Sequence, residues 1–331
     1  MAVAELTVVV PAPAGDIAAF VDSAGVVTTC AVRENGNVFC WGSNWSGELG
    51  TPTVQGFTTV PVAVEGITDA TAVSTGGAHS CALRETEGVS CWGTNYHGQL
   101  GHAQDSGIST KKVRVAGINN AIDVSATDQS TCATHATGEV SCWGSSWRGL
   151  AQGAELPASN LSPTLPVMIE GITTATGIST DFGVSCATLE GGEASGWGSY
   201  LGTELVTTEG GGISPVPIKW GDTADITSIK SGGFHACSLH SDGTIFCAGA
   251  NWYGNLGTGE FGTSISWTPA KVVNIDDATD ISLGFAHSCA LHTTGEVSCW
   301  GRDDDGQLGN GEDGLENNSP CLLYTSPSPR D

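Results

Sequence analysis

The sequence predicts an all-β chain, a β-propeller of four-stranded blades at about 51 residues per repeat. Three observations carry that expectation. Cysteines recur ten positions apart as Cys30/Cys40, Cys81/Cys91, Cys132/Cys142, Cys237/Cys247 and Cys289/Cys299, and their second members advance by 51, 51, 105 and 52 residues. The double-length step hides a sixth unit, in which Cys186 holds the first position and Gly196 the second. A fixed period of this size is the signature of an array of one small supersecondary unit. Within each unit, short alternating apolar runs are separated by Gly-marked turns with no helical period, as expected of strands in blades.

The unit from Pro61 to Gly101 illustrates the order. Pro61-Val-Ala-Val reads as a first strand, and Ile67 to Ser74 as a second that ends at Gly76-Gly77. His79-Ser-Cys-Ala-Leu and Val89-Ser-Cys-Trp form a hairpin, followed by the polar loop Gly93-Thr-Asn-Tyr-His-Gly-Gln-Leu-Gly101. Six units follow from the period, roughly 10–60, 61–111, 112–165, 166–216, 217–268 and 269–320, in one propeller spanning 1–320. The first unit starts at its Pro strand, mid-blade. The run Leu6–Pro11 is short and lacks a basic flank, so it reads as a strand and not a signal peptide.

Each cysteine pair brackets a turn. In a register symmetric about that turn the two residues oppose each other at about 4.5–5.5 Å between Cα atoms, within reach of a disulfide. Five bridges are therefore expected, and Cys186 should be a free, buried thiol. Twelve cysteines used this way point to an oxidising compartment, hence an extracellular or cell-surface location.

The net charge of −24, from 11 basic and 35 acidic residues, excludes a basic stripe for nucleic acid. It disfavours anionic lipid for the same reason and supplies solubility, and it could steer a basic partner. No stretch approaches the ~20 apolar residues of a membrane-spanning helix. The expectation is a monomer that meets a protein partner, with no nucleic acid, no membrane insertion and no cofactor.

Candidate chemistry is sparse. His79, His235 and His287 each precede a paired cysteine by two positions, a spacing that could suit zinc. Thr28, Ser130 and Val184 replace them in the other units, so a structural histidine bonding to backbone at a blade junction is the better reading, and no metal site is expected. Asp303-Asp-Asp-Gly-Gln-Leu-Gly partly fits a calcium loop, but it aligns with the ordinary loop of the other units and reads as an acidic version of it. No nucleophile elbow, phosphate loop or zinc-protease helix is present, and no catalytic residue is named.

Binding has more support. At one loop position the units show Trp45, Tyr96, Trp147, Leu201, Trp252 and Asp304. Trp45, Tyr96, Trp147 and Trp252 are the candidate partner-binding residues, because loops on a rigid scaffold concentrate recognition and aromatic rings are its usual anchors. The alternative is that these rings plug gaps between blades. Trp41, Trp92, Trp143, Trp197 and Trp300 end a strand inside the motif and are expected in the core.

The Gly-x-x-His run, the Cys-Trp-Gly-x-Asn that ends the hairpin and the Gly-Gln-Leu-Gly loop closely resemble the regulator of chromosome condensation repeat family, in a bacterial-type, cysteine-rich form. The resemblance covers nearly all of residues 10–320 and implies a native ring of seven blades. It departs in unit three (Trp147-Arg-Gly-Leu-Ala), unit four (Gly196; Trp197-Gly-Ser-Tyr-Leu-Gly) and unit five (Cys247-Ala-Gly, without tryptophan). After Ser319-Pro320 the pattern stops, and residues 321–331 resemble a translated sequencing adapter, read as a non-native tail.

Functionally, the resemblance implies a non-enzymatic binding propeller that presents loops on one face of the disc. The alternatives are a guanine nucleotide exchange factor for a small GTPase and a spacer module of a larger surface protein. Exchange would call for an inserted wedge, for which the repeat steps leave no room, and for a basic arm, which this sequence does not show.

Overall fold

The computed structural model describes residues 14–21, 27–54, 56–103, 107–145, 162–198, 214–221, 224–262, 265–310 and 318–325. These form six four-stranded antiparallel sheets arranged as the blades of a ring, spanning 14–63, 70–114, 121–168, 175–219, 226–271 and 278–325. In blade 2 the strands are Ala70–Thr75, His79–Arg84, Gly88–Thr94 and Ile108–Arg114, hydrogen-bonded in that order. The first strand lies nearest the axis and the fourth, mostly exposed, lies at the rim. The Pro strand is thus the outer strand of the preceding sheet, so sequence unit and blade are offset by one strand. The run Leu6–Pro11 lies outside the described residues.

Ser319–Thr325 is the outer strand of blade 6, pairing Cys299 with Leu323 and Gly301 with Ser319. Ladder pairing uses backbone groups that every non-proline residue carries, so this strand forms across the boundary at 320.

The five disulfides are present, Cys30–Cys40, Cys81–Cys91, Cys132–Cys142, Cys237–Cys247 and Cys289–Cys299, with Cα atoms 4.0–4.1 Å apart. In blade 4 the same register sets Cys186 opposite Gly196, and Cys186 is a buried free thiol. Burial pushes that thiol up, so it is inert as a nucleophile at neutral pH.

Gly42, Gly93, Gly144, Gly198, Gly249 and Gly301 close each third strand with φ between +99° and +117°. A Cβ there would lie 2.1–2.6 Å from a carbonyl oxygen of the neighbouring strand. Only glycine fits, which is why Trp-Gly or Ala-Gly recurs at this point.

The core is made at the blade junctions. Between blades 1 and 2, Val32, Val38, Leu49 and Val64 pack on Val73, Ala82 and Trp92, and equivalent clusters fill the next four junctions. Near the axis, Ser74, Ser125 and Ser179 each accept a backbone N–H from the adjacent blade (Ala126, Thr180 and Ser231) at 2.9–3.0 Å. The far flank of blade 6 is built like a junction face but leaves Leu291 40% and Val297 37% exposed, where Leu239 and Ile245 of blade 5 are buried at 4% and 0%.

The junction between blades 4 and 5 solves a problem that the sequence posed. Blade 5 has Ala248 where its neighbours have tryptophan. Trp220 occupies the position that Val64, Val115, Ile169 and Val272 hold in the other blades, and its indole fills the cluster with Val184, Ile226, Ile229 and Ala248. A large side chain has moved from one wall of the cavity to the other.

Candidate functional site

Successive strands run antiparallel, so the turn after the first strand and the loop after the third emerge on the same face of the disc. The loops are built alike. Asn44, Asn95 and Asn251 each turn a side-chain oxygen inward to accept the N–H of Leu49, Leu100 and Leu256 at 2.9–3.0 Å. Asp303 does the same for Leu308 at 2.8 Å and is fully buried, so the first carboxylate of the acidic run is part of the loop's interior and not a solvated group. Asp304 is ion-paired to Arg302. Among the described residues no group of three or more His, Cys, Asp or Glu is placed to hold a metal.

A network ties each loop to the next blade. The carbonyl of Glu48 accepts hydrogen bonds from Ser80 Oγ (3.0 Å) and Trp92 Nε1 (2.7 Å). Gln99 receives Thr131 (3.0 Å) and Trp143 (2.8 Å), and Asn255 receives Ser288 (3.1 Å) and Trp300 (3.0 Å). His79 and His235 complete it through Nε2, 2.8 Å from Thr131 Oγ1 and 2.7 Å from Ser288 Oγ. Because those hydroxyls already donate to the carbonyls, the imidazole N–H donates to them. His79 and His235 are therefore junction residues, as expected, but each bonds to a hydroxyl of the next blade and not to backbone. The cysteines beside them are spent in disulfides, which removes the thiolates a zinc site would need.

Burial pushes His79 and His235 down to about 3, the latter helped by His287. Both are neutral in the fold, while the unfolded chain takes up a proton below about 6.5. Their contribution is complete above pH 6.5 and is lost as pH falls toward 3, at about 1.4 kcal/mol per pH unit each. Asp181, raised by burial, has the opposite sign and offsets part of this between pH 7 and 3.8. The urea midpoint should drop on acidification from pH 6.5 to 4.5, and less steeply in His79→Gln. Identical profiles for the two proteins would remove His79 as a cause.

Of the candidate binding residues, Trp45, Tyr96 and Trp252 are 74%, 61% and 45% exposed on the loop face, so they do not plug the junctions. Trp147 and Leu201 lie outside the described residues. Trp41, Trp92, Trp143, Trp197 and Trp300 are buried, as expected.

A second aromatic group was not foreseen. Phe182, Phe234 and Phe285 stand on the turns between first and second strands of blades 4, 5 and 6, at the mouth of the axial channel. Their centroids are 4.8–5.9 Å apart, mostly edge to face, and Phe234 also meets Trp252 at 5.4 Å. The signal was in the sequence. Asp181-Phe-Gly, Gly233-Phe-His and Gly284-Phe-Ala put a phenylalanine in the turn at steps of 52 and 51 residues, where blade 2 has Gly77-Ala78.

With this geometry in view, the repeat described as "Regulator of chromosome condensation (RCC1) repeat" matches residues 35–83 and 242–291 in one form and 70–99, 226–255 and 278–307 in another. This is an RCC1-repeat protein. The mitochondrial RCC1 domain-containing protein RUG3 of Arabidopsis thaliana is 26% identical over 72% of the chain and 55% of its own length. The RCC1-repeat chain spans about half the length of such curated relatives. Human WBSCR16 superposes with a TM-score of 0.80 at 20% identity over 96% of this chain and 82% of its own. Yeast RCC1 (Prp20), solved bound to Kap60, gives 0.79 at 19% identity over 93% and 76%. At these identities the likeness establishes the β-propeller fold of the RCC1-repeat chain.

Proposed function

We propose that this RCC1-repeat propeller is a non-enzymatic protein-binding module, secreted or at the cell surface, that meets its partner as a monomer through the loop face. The observation that carries the reading is the exposure of Trp45, Tyr96 and Trp252 on loops held rigid by buried Asn caps. Exposed aromatic side chains on a stiff scaffold offer large contact area at small entropic cost, which is why they dominate binding hot spots. The five disulfides support the oxidising compartment. Among structural neighbours, yeast RCC1 is solved with Kap60, and a study of Prp20p concerns its binding to Gsp1p and histones. These lend analogy for partner capture on a propeller of this fold.

The test compares immobilised wild type with a Trp45→Ala/Trp252→Ala variant by quantitative mass spectrometry of captured proteins. A partner retained by the wild type should fall by more than about tenfold on the double variant, since two hot-spot rings are each worth roughly 2 kcal/mol or more. Equal capture by a correctly disulfide-bonded variant would remove the loop-face reading.

A further inference from the structure

We propose that the mouth of the axial channel is a receptor for a basic side chain, arginine or lysine, of the partner protein. This rests on the binding-face reading above and narrows it to a chemistry. The mouth has two halves that meet at blade 4. One half is aromatic: Phe182, Phe234 and Phe285, extended outward by Trp252, with Phe285 38% exposed and its ring leaning across Gly233 of the neighbouring turn. The other half is acidic: Asp128 of blade 3 leans over Gly77 in the same manner, and Asp181 directly precedes Phe182 in the chain.

Three features favour a cation as the occupant. Aromatic faces carry negative quadrupole potential and attract ammonium or guanidinium groups, most strongly where water is partly excluded. Carboxylates beside those faces add direct charge complementarity, and the net charge of −24 steers basic partners toward the whole molecule. Burial and the Asp128 carboxylate raise Asp181 to about 7, a charge conflict that an incoming cation relieves.

The backbone adds an independent mark. Phe182 sits at φ +23°, whereas its counterparts in blades 2 and 5, Gly77 and Gly233, lie outside the positive-φ region. A non-glycine residue held in the left-handed region is strained, and such strain concentrates at binding sites. The Phe182 ring stands in the cluster with Phe234 and Phe285.

The probe is the capped peptide Gly-Arg-Gly-Arg-Gly-Arg-Gly, compared with the same peptide carrying uncharged citrulline in place of arginine, by isothermal titration at low salt. The arginine peptide should bind wild type at least about tenfold more tightly than the citrulline peptide. Asp128→Asn/Asp181→Asn should weaken it by about tenfold, and Phe234→Leu/Phe285→Leu, which keeps apolar volume but removes the ring faces, should do likewise. Asp305→Asn, a surface carboxylate of the same face, should leave the affinity unchanged.

Citrulline and arginine peptides binding alike would overturn the inference, as would equal losses in Asp305→Asn, which would reduce the effect to general charge. Undetectable binding of the arginine peptide at about 1 mM would overturn it too. In any of these cases, loss of a captured partner in Trp45→Ala/Trp252→Ala would still leave the loop-face reading standing, so the two failures are distinguishable.

Discussion

Trp220→Val should cost about 2–4 kcal/mol of unfolding free energy, because it empties the cavity that Ala248 leaves at the junction of blades 4 and 5. Trp220 is 1% exposed, and its Nε1 donates to Ser238 Oγ at 3.1 Å, so both packing and a buried hydrogen bond are lost. Ala248→Trp alone should also destabilise, by about 1–3 kcal/mol, since it overpacks a full site. The double variant restores the arrangement of the other junctions, with the small residue on the outer-strand side and tryptophan on the hairpin side. It should recover most of the loss, a coupling of roughly 2 kcal/mol or more. Urea denaturation of the four proteins measures this directly. Additive single effects would show that the two positions do not share one cavity.

Gly196→Cys should install a sixth disulfide with Cys186 and raise stability by about 2–3 kcal/mol under oxidising conditions. The two residues are directly opposed in the register that places the bonded cysteines of the other five blades 4.0–4.1 Å apart. The gain should vanish in reductant, and a thiol assay of the denatured variant should find neither cysteine free. If Cys186 still reacts in the oxidised variant, the backbone at this pair differs from that of its siblings. In wild type the Cys186 thiol should react only after unfolding, because Cys186 is fully buried.

Much of the architecture was legible in the residues. The ten-residue cysteine spacing and the 51-residue period led to hairpins, blades and bridges, and the structure has them in that register. Trp-Gly marked a backbone position where φ exceeds +99°, and there a Cβ has no room. The exposed set Trp45, Tyr96 and Trp252 was found by aligning one loop position across units, because a repeat turns sequence position into radial position. The buried set was separated from it by the same alignment.

Other features were not legible, and each depends on contacts between residues far apart in the chain. Asp303 looked like a member of a solvated acidic run, yet it is buried because its carboxylate replaces an asparagine amide as the acceptor for Leu308. Ala248 looked like a defect until Trp220, 28 positions earlier, was seen in the same cluster. The phenylalanines of three turns recur at the repeat period, but the sequence does not show that they meet. Only the ring brings them within 6 Å of one another.

The division follows from the physics of a repeat array. Within a blade, pairing is local: backbone hydrogen bonds, turn glycines and opposed cysteines are set by spacing along the chain, so the sequence by itself determined the blade, its register and its bridges. Between blades, contact is made by side chains some 50 positions apart, whose volumes and donors must match across a junction that no local pattern describes. The relocated Trp220, the hydroxyl partners of His79 and His235 and the joined aromatic and acidic halves of the channel mouth were therefore decided by tertiary structure alone.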